Sequence, residues 1–240
     1  MRQDQAILFF VRDEQLEEAI KPLPRLGNSL VGYSAINRAI CARLTSLRDR
    51  VDIVLSTDGS GSSVETDYLL KQKGRTFGER ITHAVEATFA LGYKQVVVIG
   101  NDSPEITPED IETGFSLLKS GTGVAAAPTY DGGAFLIALD RDHFNHQTFL
   151  QLPWQTPRLF EALCSQLSAI SLSVMRADYD SWYSGAAQRV LIGLLDIALC
   201  PSILTRTTRF TIPSARRKAS TRIFLTAPPL FFPSTATASR

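Results

Sequence analysis

The sequence predicts an α/β protein with a mostly parallel open sheet and helices on both faces. Short apolar runs alternate with amphipathic helical patterns along the first 180 residues, which is typical of this class. The run "QVVVIG" (95–100) is apolar along nearly its whole length, as expected for a central parallel strand that is covered on both faces. Apolar residues make up 44% of the 240 residues, which is enough to form a core.

Strand and helix patterns alternate in the first half of the chain. Strands are predicted at residues 6–11, 51–56 and 95–100, and helices at about residues 30–47 and from Phe77 onward. Thr76 and Glu79 predict a capping box at the start of the second helix, because each side chain can bond the backbone N–H of the other residue. The polar stretch 12–29 contains two prolines, and no regular element is predicted there.

The same alternation continues in the second half. A helix is predicted to start at Pro108, with Thr107 as its N-cap and Asp110 in its first turn. Strands are predicted at residues 123–128, 134–140 and 171–180. A further helix is predicted between the last two strands, with Thr156 as its N-cap and Pro157 as its first residue.

Charge and composition divide the chain near residue 182. Residues 1–182 are predicted to form the α/β domain, and residues 183–240 a helix followed by a basic tail rich in Pro, Ser and Thr. The chain has a net charge of +1, but seven Lys or Arg and no acid follow residue 197, so the first 196 residues carry about −6. An acidic body does not indicate a nucleic-acid-binding protein. We expect residues 221–232 of the tail to pack on the domain.

The remaining bulk features favour a cytoplasmic protein. No apolar run reaches the roughly 18 residues that a membrane span requires. The start "MRQDQAILFF" does not have the pattern of a signal peptide. The three cysteines, Cys41, Cys164 and Cys200, are too far apart to indicate a disulfide framework.

Acidic residues follow several of the predicted strands, where open α/β sheets bind their ligands. They are Asp102, Asp131, and Asp178 with Asp180. Mg²⁺ or Mn²⁺ prefers carboxylate oxygens, and Mg²⁺ usually combines one or two of them with substrate phosphates. We therefore predict a site for Mg²⁺ or Mn²⁺ with Asp102, Asp178 and Asp180 as ligands. The alternative is that Asp102 and Asp131 only form caps or turns.

Three motifs in this order and spacing resemble a known family: "GERITHA", "IGNDSPEIT", and "DGGAFLI" followed by "PWQTP". Over about residues 5–182 the chain resembles the bacterial glycosyltransferase-A-like family, whose members are called radical-SAM/selenodomain-associated transferases. Relatives of that family are nucleotide-diphospho-sugar transferases, molybdenum cofactor guanylyltransferases and 2-phospho-L-lactate guanylyltransferases. The resemblance implies a GT-A fold, a Rossmann-like sheet that binds a nucleotide.

The resemblance also implies roles for individual residues. Asp102 would be the catalytic, metal-binding acid, although "GNDSP" has only one acid of the usual Asp-x-Asp motif. Asp131 would be a second catalytic or anchoring acid on the acceptor or sugar side. The substrate-binding residues implied there are Gly132, Gly133, Trp154, Gln155 and Thr156, the last three at a helix N-terminus that binds anions. The alternatives are a tight turn at the two glycines and core packing for Trp154.

The first loop departs from the family pattern. The resemblance places a phosphate-binding lysine at Lys21, with Arg12 as a second cation, within "RDEQLEEAIKPL". The family's glycine and Thr-Arg pair are absent, and the loop carries three glutamates. Either the donor differs or nucleotide binding is weak. Arg80, at the start of a helix, is a further candidate phosphate ligand, and the alternative there is a solvated first turn.

These observations favour a metal-dependent transferase that acts on a nucleotide-activated substrate. The expected partners are a nucleotide or nucleotide-sugar and a small-molecule acceptor. Two alternatives stay open at this point: a nucleotidylyltransferase of the guanylyltransferase type, and a non-catalytic nucleotide-binding protein whose first loop has been eroded.

Overall fold

The structure is a computed structural model that describes residues 4–23, 32–59, 63–179 and 187–193. The strands are β1 (Gln5–Phe10), β2 (Asp52–Thr57), β3 (Tyr68–Lys71), β4 (Gln95–Ile99), β5 (Val124–Pro128), β6 (Ala134–Asp140) and β7 (Ile170–Ser171). The helices are α1 (Glu14–Ile20), α2 (Tyr33–Arg43), α3 (Phe77–Ala90), α4 (Pro108–Leu118), α5 (His146–Leu150) and α6 (Leu159–Leu167), and residues 187–193 are also helical. Asp180, the predicted boundary after residue 182 and the predicted packing of residues 221–232 lie outside the described residues.

The seven strands form one sheet in the order β3-β2-β1-β4-β6-β5-β7. All neighbouring pairs are parallel except those that β6 makes with β4 and β5. From β1 the chain runs outward through β2 and β3, then returns to add β4 on the other side of β1. The carboxyl ends of β1 and β4 therefore border a topological switch point, where open α/β sheets bind ligands.

Helices cover both faces of the sheet, as the sequence predicted. The helices α2 and α4 pack on one face, and α3, α5 and α6 pack on the other. Along β4, Val97 and Ile99 join the first core while Val96 and Val98 join the second. None of the helices in the described part of the chain has the length and apolar character that a membrane span requires.

The capping box predicted at the start of α3 is confirmed, as is the N-cap predicted at Thr107, where α4 begins with a second box. At the start of α3, the Thr76 hydroxyl accepts from Glu79 N (3.1 Å) and the Glu79 carboxylate accepts from Thr76 N (3.1 Å). At the start of α4, Thr107 and Asp110 make the same reciprocal pair, and Pro108 follows the cap. Each box satisfies backbone N–H groups that would otherwise lack partners.

The helix α1 and the strand β3 were not predicted. The carboxylate of Asp13 caps α1 by accepting from the backbone N–H groups of residues 15 and 16 (3.0 and 3.3 Å). The apolar side chains Leu16 and Ile20 are 48% and 67% exposed, so α1 shows no core-facing apolar stripe that a sequence pattern could reveal. The strand β3 lies at the sheet edge and is largely exposed.

The predicted strand over residues 171–180 is wrong beyond its first residue. The strand β7 ends at Ser171, and a single bridge joins Arg176 to Thr129. Two further contacts tie this segment to α4 and to the loop after β4. The Arg176 guanidinium donates to the buried carboxylate of Asp110 (2.6 and 2.9 Å), and Tyr179 N donates to the carbonyl of Asp102 (2.8 Å).

The predicted start of α6 is also wrong. The helix begins at Leu159 with Arg158 as its N-cap, so Thr156 is not the cap and Pro157 is not the first helical residue. Instead, the Thr156 hydroxyl donates to the carbonyl of Pro153 (2.7 Å) and the Thr156 carbonyl accepts from Leu159 N (3.1 Å). These bonds hold a turn before the helix.

Candidate functional site

The first loop and the end of β4 meet at the switch point. The Lys21 ammonium donates to Asp102 Oδ1, which brings together the two residues that the sequence singled out there. The Lys21 side chain is 18% exposed and that of Asp102 is 38% exposed, so the carboxylate stays open to solvent on one side. The Tyr33 hydroxyl donates to the carbonyl of Lys21 (2.8 Å), which fixes the end of α1 against α2.

Three more charged side chains surround this pair. Arg12 Nε lies 3.6 Å from Glu17 Oε2 and 3.8 Å from Asp58 Oδ2. Burial raises the pKa of Glu17, Asp102 raises it further, and Lys21 and Arg12 oppose the increase. These electrostatic effects place all five groups near the carboxyl ends of β1, β2 and β4. We call Arg12, Glu17, Lys21, Asp58 and Asp102 the charge cluster.

Buried amides connect α1 to the strand end that carries Asp102. Asn101 Nδ2 donates to Asn37 Oδ1 (3.1 Å), and Asn37 Nδ2 donates to Glu14 Oε1 (3.1 Å). Both asparagines are buried. The Ser63 hydroxyl also donates to Glu14 Oε1 (2.5 Å). Because these bonds join α1, α2 and the end of β4, they hold the charge cluster in register.

The glutamates of the first loop do not all face the phosphate candidates. The Glu14 carboxylate bonds Asn37 and Ser63, and Glu18 Oε1 accepts from Leu23 N (3.2 Å). Glu17 is the one that pairs with Arg12. Of the three glutamates in the first loop, Glu17 is therefore the one whose carboxylate belongs to the charge cluster.

The structure brings the segment around Asp178 to the Asp102 loop. The Ser103 hydroxyl donates to the carbonyl of Ala177 (2.7 Å), and Tyr179 N donates to the carbonyl of Asp102 (2.8 Å). Asp178 lies between these two contacts. The segments that carry Asp102 and Asp178 are therefore neighbours, and a metal site shared by the two carboxylates stays a prediction.

Asp131 binds its own loop. Its Oδ1 accepts from the Thr129 hydroxyl (2.5 Å) and from Gly133 N (3.1 Å), as in a turn-forming aspartate. The loop follows β5, which is two strands away from β4, so the strand axes lie roughly 10 Å apart. Asp131 therefore lies at the same edge of the sheet as Asp102, and its role on the acceptor side stays a prediction.

Gly132 joins this loop to the turn before α6. Its φ is +89°, and a Cβ atom there would lie 2.1 Å from the carbonyl oxygen of Pro157. The Gly132 carbonyl accepts from Phe160 N (3.1 Å). The conformation and the close approach both require glycine, so the two motifs "DGGAFLI" and "PWQTP" form one packed unit.

Trp154 has the contacts of a packing residue. Its Nε1 donates to the carbonyl of Phe149 (3.0 Å), and its ring lies 4.9 Å from Phe149 and 5.6 Å from Phe77, centroid to centroid. The alternative of core packing accounts for these contacts. Gln155 is exposed with a φ of +59°, and Thr156 holds the turn. None of the three lies at a helix N-terminus, contrary to the expectation.

Arg80 lies in the first turns of α3, whose N-terminus carries its own anion. The Glu79 carboxylate accepts from the backbone N–H groups of Arg75 (2.6 Å) and Thr76 (3.1 Å), and these bonds lower its pKa. The aromatic rings of Phe77 and Phe10 are 5.5 Å apart, so this helix start lies near the end of β1. The solvated capping box therefore describes this turn better than an anion site does.

The described residues fit a divalent cation only together with a substrate. Asp102 offers a half-exposed carboxylate at the strand end, and oxygen is the ligand that Mg²⁺ and Mn²⁺ prefer. Within the described ranges, no group of three His, Cys, Asp or Glu side chains is placed to hold a metal ion. Mg²⁺ commonly takes its other ligands from phosphate and water, so a site of this kind needs phosphate to be complete.

Sequence reasoning missed three polar residues of the site. Asp58 follows β2 as Asp102 follows β4, and that parallel was the available signal. The buried Asn37 lies in a helix and gives no local signal. Gln72 Nε2 donates to the carbonyls of Val11 (2.9 Å) and Ser56 (3.0 Å), and it ties together the ends of β1 and β2.

The middle of the chain matches a known family. Residues 46–156 match the family described as uncharacterized proteins conserved in bacteria, DUF2064. No curated protein matches the chain. The matched range holds two of the three sequence motifs and most of the third, and it includes Asp102 and Asp131. The finer assignment to the radical-SAM/selenodomain-associated transferases stays a prediction.

Solved structures show the same fold. A protein of Desulfovibrio desulfuricans G20, assigned as a nucleotide-diphospho-sugar transferase, has 20% identity over 81% of this chain and 98% of its own, with a TM-score of 0.60. A 4-diphosphocytidyl-2C-methyl-D-erythritol synthase has 12% identity over 82% of this chain and 100% of its own, with a TM-score of 0.52. CMP:2-keto-3-deoxy-manno-octonic acid synthetase, complexed with CTP, has 13% identity over 80% of this chain and 98% of its own, with a TM-score of 0.50. The chain therefore has the Rossmann-like fold of these proteins.

Proposed function

We propose that this protein is a transferase that moves a group from a nucleotide-diphosphate-activated donor to a small acceptor. The observation that carries the proposal is the contact between Lys21 and Asp102 at the switch point of the sheet. A phosphate-binding cation and a metal-binding carboxylate are the two groups that such a donor requires, and both stand where this fold binds ligands. The fold shared with an assigned nucleotide-diphospho-sugar transferase supports the proposal.

Each member of the pair has a separate role in the proposal. Lys21 donates to the donor's diphosphate once that group enters, and Arg12, which pairs with Glu17 and Asp58, lies nearby. Asp102, released from Lys21, holds Mg²⁺ or Mn²⁺ together with the diphosphate, and Asp178 and Asp180 are the further candidate ligands. A bound divalent cation would neutralise the negative charge that develops on the leaving diphosphate.

The reaction needs positioning more than covalent chemistry from the protein. The bond between the transferred group and the diphosphate breaks with its electron pair staying on the diphosphate. The oxygen of an acceptor hydroxyl forms the new bond, and its proton passes to the departing diphosphate or to water. In this proposal Asp131, Gly132 and Gly133 line the acceptor side, with Gln155 as an exposed neighbour, and Asp131 orients the acceptor.

Nucleotidyl transfer is the second candidate. The fold is shared with a cytidylyl-transferring synthase and with a synthetase whose structure contains CTP, and this supports a site that accepts a nucleoside triphosphate. A protein that binds nucleotides without catalysis is the third candidate, because the first loop lacks the family's glycine and Thr-Arg pair.

A ligand screen tests the proposal and separates these candidates. Thermal unfolding would be followed with nucleoside triphosphates and nucleotide-sugars, each with and without Mn²⁺. A metal-dependent rise in melting temperature with a nucleotide-sugar supports the transferase, and a larger rise with a triphosphate supports nucleotidyl transfer. The absence of any metal-dependent rise with any nucleotide would contradict both.

Replacing Lys21 by Met is expected to weaken nucleotide binding by about 1–3 kcal/mol, because a charge-assisted hydrogen bond to phosphate is lost. Methionine keeps the aliphatic stem, so the packing near Tyr33 is preserved. Isothermal titration with Mn²⁺ present measures the change. The control is Lys94→Met, since Lys94 precedes β4 and pairs with Asp4 at the opposite edge of the sheet. An unchanged affinity in Lys21→Met would contradict the role of Lys21 as the phosphate ligand.

A further inference from the structure

Glu17 is an unusual residue to find among phosphate ligands. Its carboxylate lies 3.6 Å from Arg12 Nε, and its side chain is only 18% exposed. The helix backbone fixes its position, because Glu17 N donates to the carbonyl of Asp13 (2.8 Å) and Glu17 O accepts from Lys21 N (2.7 Å). The carboxylate is therefore part of the site and not a solvated surface group.

The charge cluster contains two cations and three carboxylates, so these five groups together carry −1. A divalent cation beside Asp102 would change this sum to +1. The diphosphate of an ester carries about two negative charges, a free nucleoside diphosphate about three and a nucleoside triphosphate about four, since the second ionisation of a terminal phosphate lies near about pH 6. The cluster with its cation is thus close to balance for a diphosphate ester and far from balance for a triphosphate.

Arg12 adds little to phosphate binding while Glu17 and Asp58 are next to it. Both carboxylates lie within 4 Å of its Nε atom, so much of its positive charge is already neutralised. A terminal phosphate that reached toward Arg12 would also approach Glu17, and like charges at such distances repel strongly in a partly buried site. Glu17 also interacts with Lys21, so its negative charge opposes an added phosphate at either cation of the cluster.

We propose that Glu17 is a specificity-determining residue that restricts this site to nucleoside diphosphates and their esters and disfavours nucleoside triphosphates. The inference rests on the proposed function, since it assumes that phosphate binds at the charge cluster. It deepens that function by naming the donor class, and it separates group transfer from a diphosphate ester from nucleotidyl transfer.

The test compares affinities for a diphosphate and a triphosphate of the same nucleoside. Isothermal titration with Mn²⁺ would be run with UDP and UTP, GDP and GTP, and CDP and CTP. The wild type should bind the diphosphate more tightly. Glu17→Gln should reduce that preference about tenfold, equivalent to about 1.4 kcal/mol, mainly by tightening triphosphate binding. Glu17→Asp keeps the charge and should keep the preference.

The control variant is Glu112→Gln, which makes the same change in net charge elsewhere. Glu112 pairs with Arg50 (2.5 Å), which precedes β2, whereas Asp58 follows that strand. The control should leave the preference unchanged. An equal preference in wild type and Glu17→Gln would overturn the inference and leave the proposed function standing. A wild type that favours triphosphates would overturn the inference and support nucleotidyl transfer instead. If neither protein binds any of the six nucleotides, the proposed function fails and the inference fails with it.

Discussion

Replacing Asp102 by Asn is expected to abolish the stabilisation that a nucleotide and a divalent metal give together. The amide keeps the size of the side chain but removes the negative charge that the cation requires. It also removes the carboxylate that pairs with Lys21, so this carboxylate no longer competes with phosphate for the ammonium. We therefore expect the metal-dependent part of nucleotide binding to vanish, while a weaker, metal-independent part persists.

Thermal unfolding with nucleotide, with and without Mn²⁺, measures both parts. Because Asp102 is 38% exposed, the loss of its surface ion pair should leave the ligand-free melting temperature nearly unchanged. The control is Asp142→Asn, the same chemical change at a residue whose side chain is 80% exposed. A full metal-dependent shift in Asp102→Asn would remove Asp102 from the metal site.

Replacing Asp110 by Ala is expected to lower the free energy of unfolding by about 3–5 kcal/mol, because one side of a buried ion pair is lost. Asp110 Oδ2 accepts from Arg176 Nε (2.9 Å), Arg176 Nη2 (2.6 Å) and Thr107 N (2.8 Å). The Asp110 side chain is 7% exposed and that of Arg176 is 18% exposed. The substitution leaves a partly buried guanidinium uncompensated and removes half of the α4 capping box.

Urea unfolding followed by circular dichroism measures this effect. Glu109→Ala is the matched control, since Glu109 is the exposed acidic residue just before Asp110 in the same turn. It should change the free energy of unfolding by less than about 0.5 kcal/mol. A loss below about 1 kcal/mol in Asp110→Ala would show that the ion pair contributes little. The variant should also loosen the segment that carries Asp178, because Arg176 is the residue that anchors it.

The elements that local chemistry specifies were the ones that the sequence predicted correctly. The helices α3 and α4 carry complete capping boxes, and β4 is apolar at consecutive positions because both of its faces are buried. By contrast, α1 turns its apolar side chains outward and β3 is an exposed edge, so neither has the periodicity that identifies an element. Their positions are set by tertiary contacts.

Contacts between distant parts of the chain account for the two wrong boundaries. The segment after β7 makes a single bridge to the sheet at Arg176, whose side chain binds Asp110, 66 residues earlier. The turn before α6 is set by the approach of Gly132 to the carbonyl of Pro157. In neither case do the residues next to the boundary contain the information, so a pattern of caps and prolines points to the wrong residue.

The candidate site was predictable only where its residues give a local signal in the sequence. A carboxylate at the end of a buried strand pointed to Asp102, and the resemblance pointed to Lys21, and the structure puts them in contact. Asn37 and Asn101 were not predictable, because their role depends on the packing of α2 against the end of β4. The resemblance placed Trp154 at a binding surface, whereas its contacts are those of the core.

The most direct test of this account is the position of Mn²⁺ in crystals grown with the nucleotide that binds best. We predict anomalous density at about 2.2 Å from a carboxylate oxygen of Asp102, with the diphosphate next to the Lys21 ammonium. Density elsewhere would contradict the account, for example in the depression at the opposite edge of the sheet lined by Asp4, Arg50, Lys94 and Asp140. A nucleotide bound away from both Lys21 and Asp102 would contradict it as well.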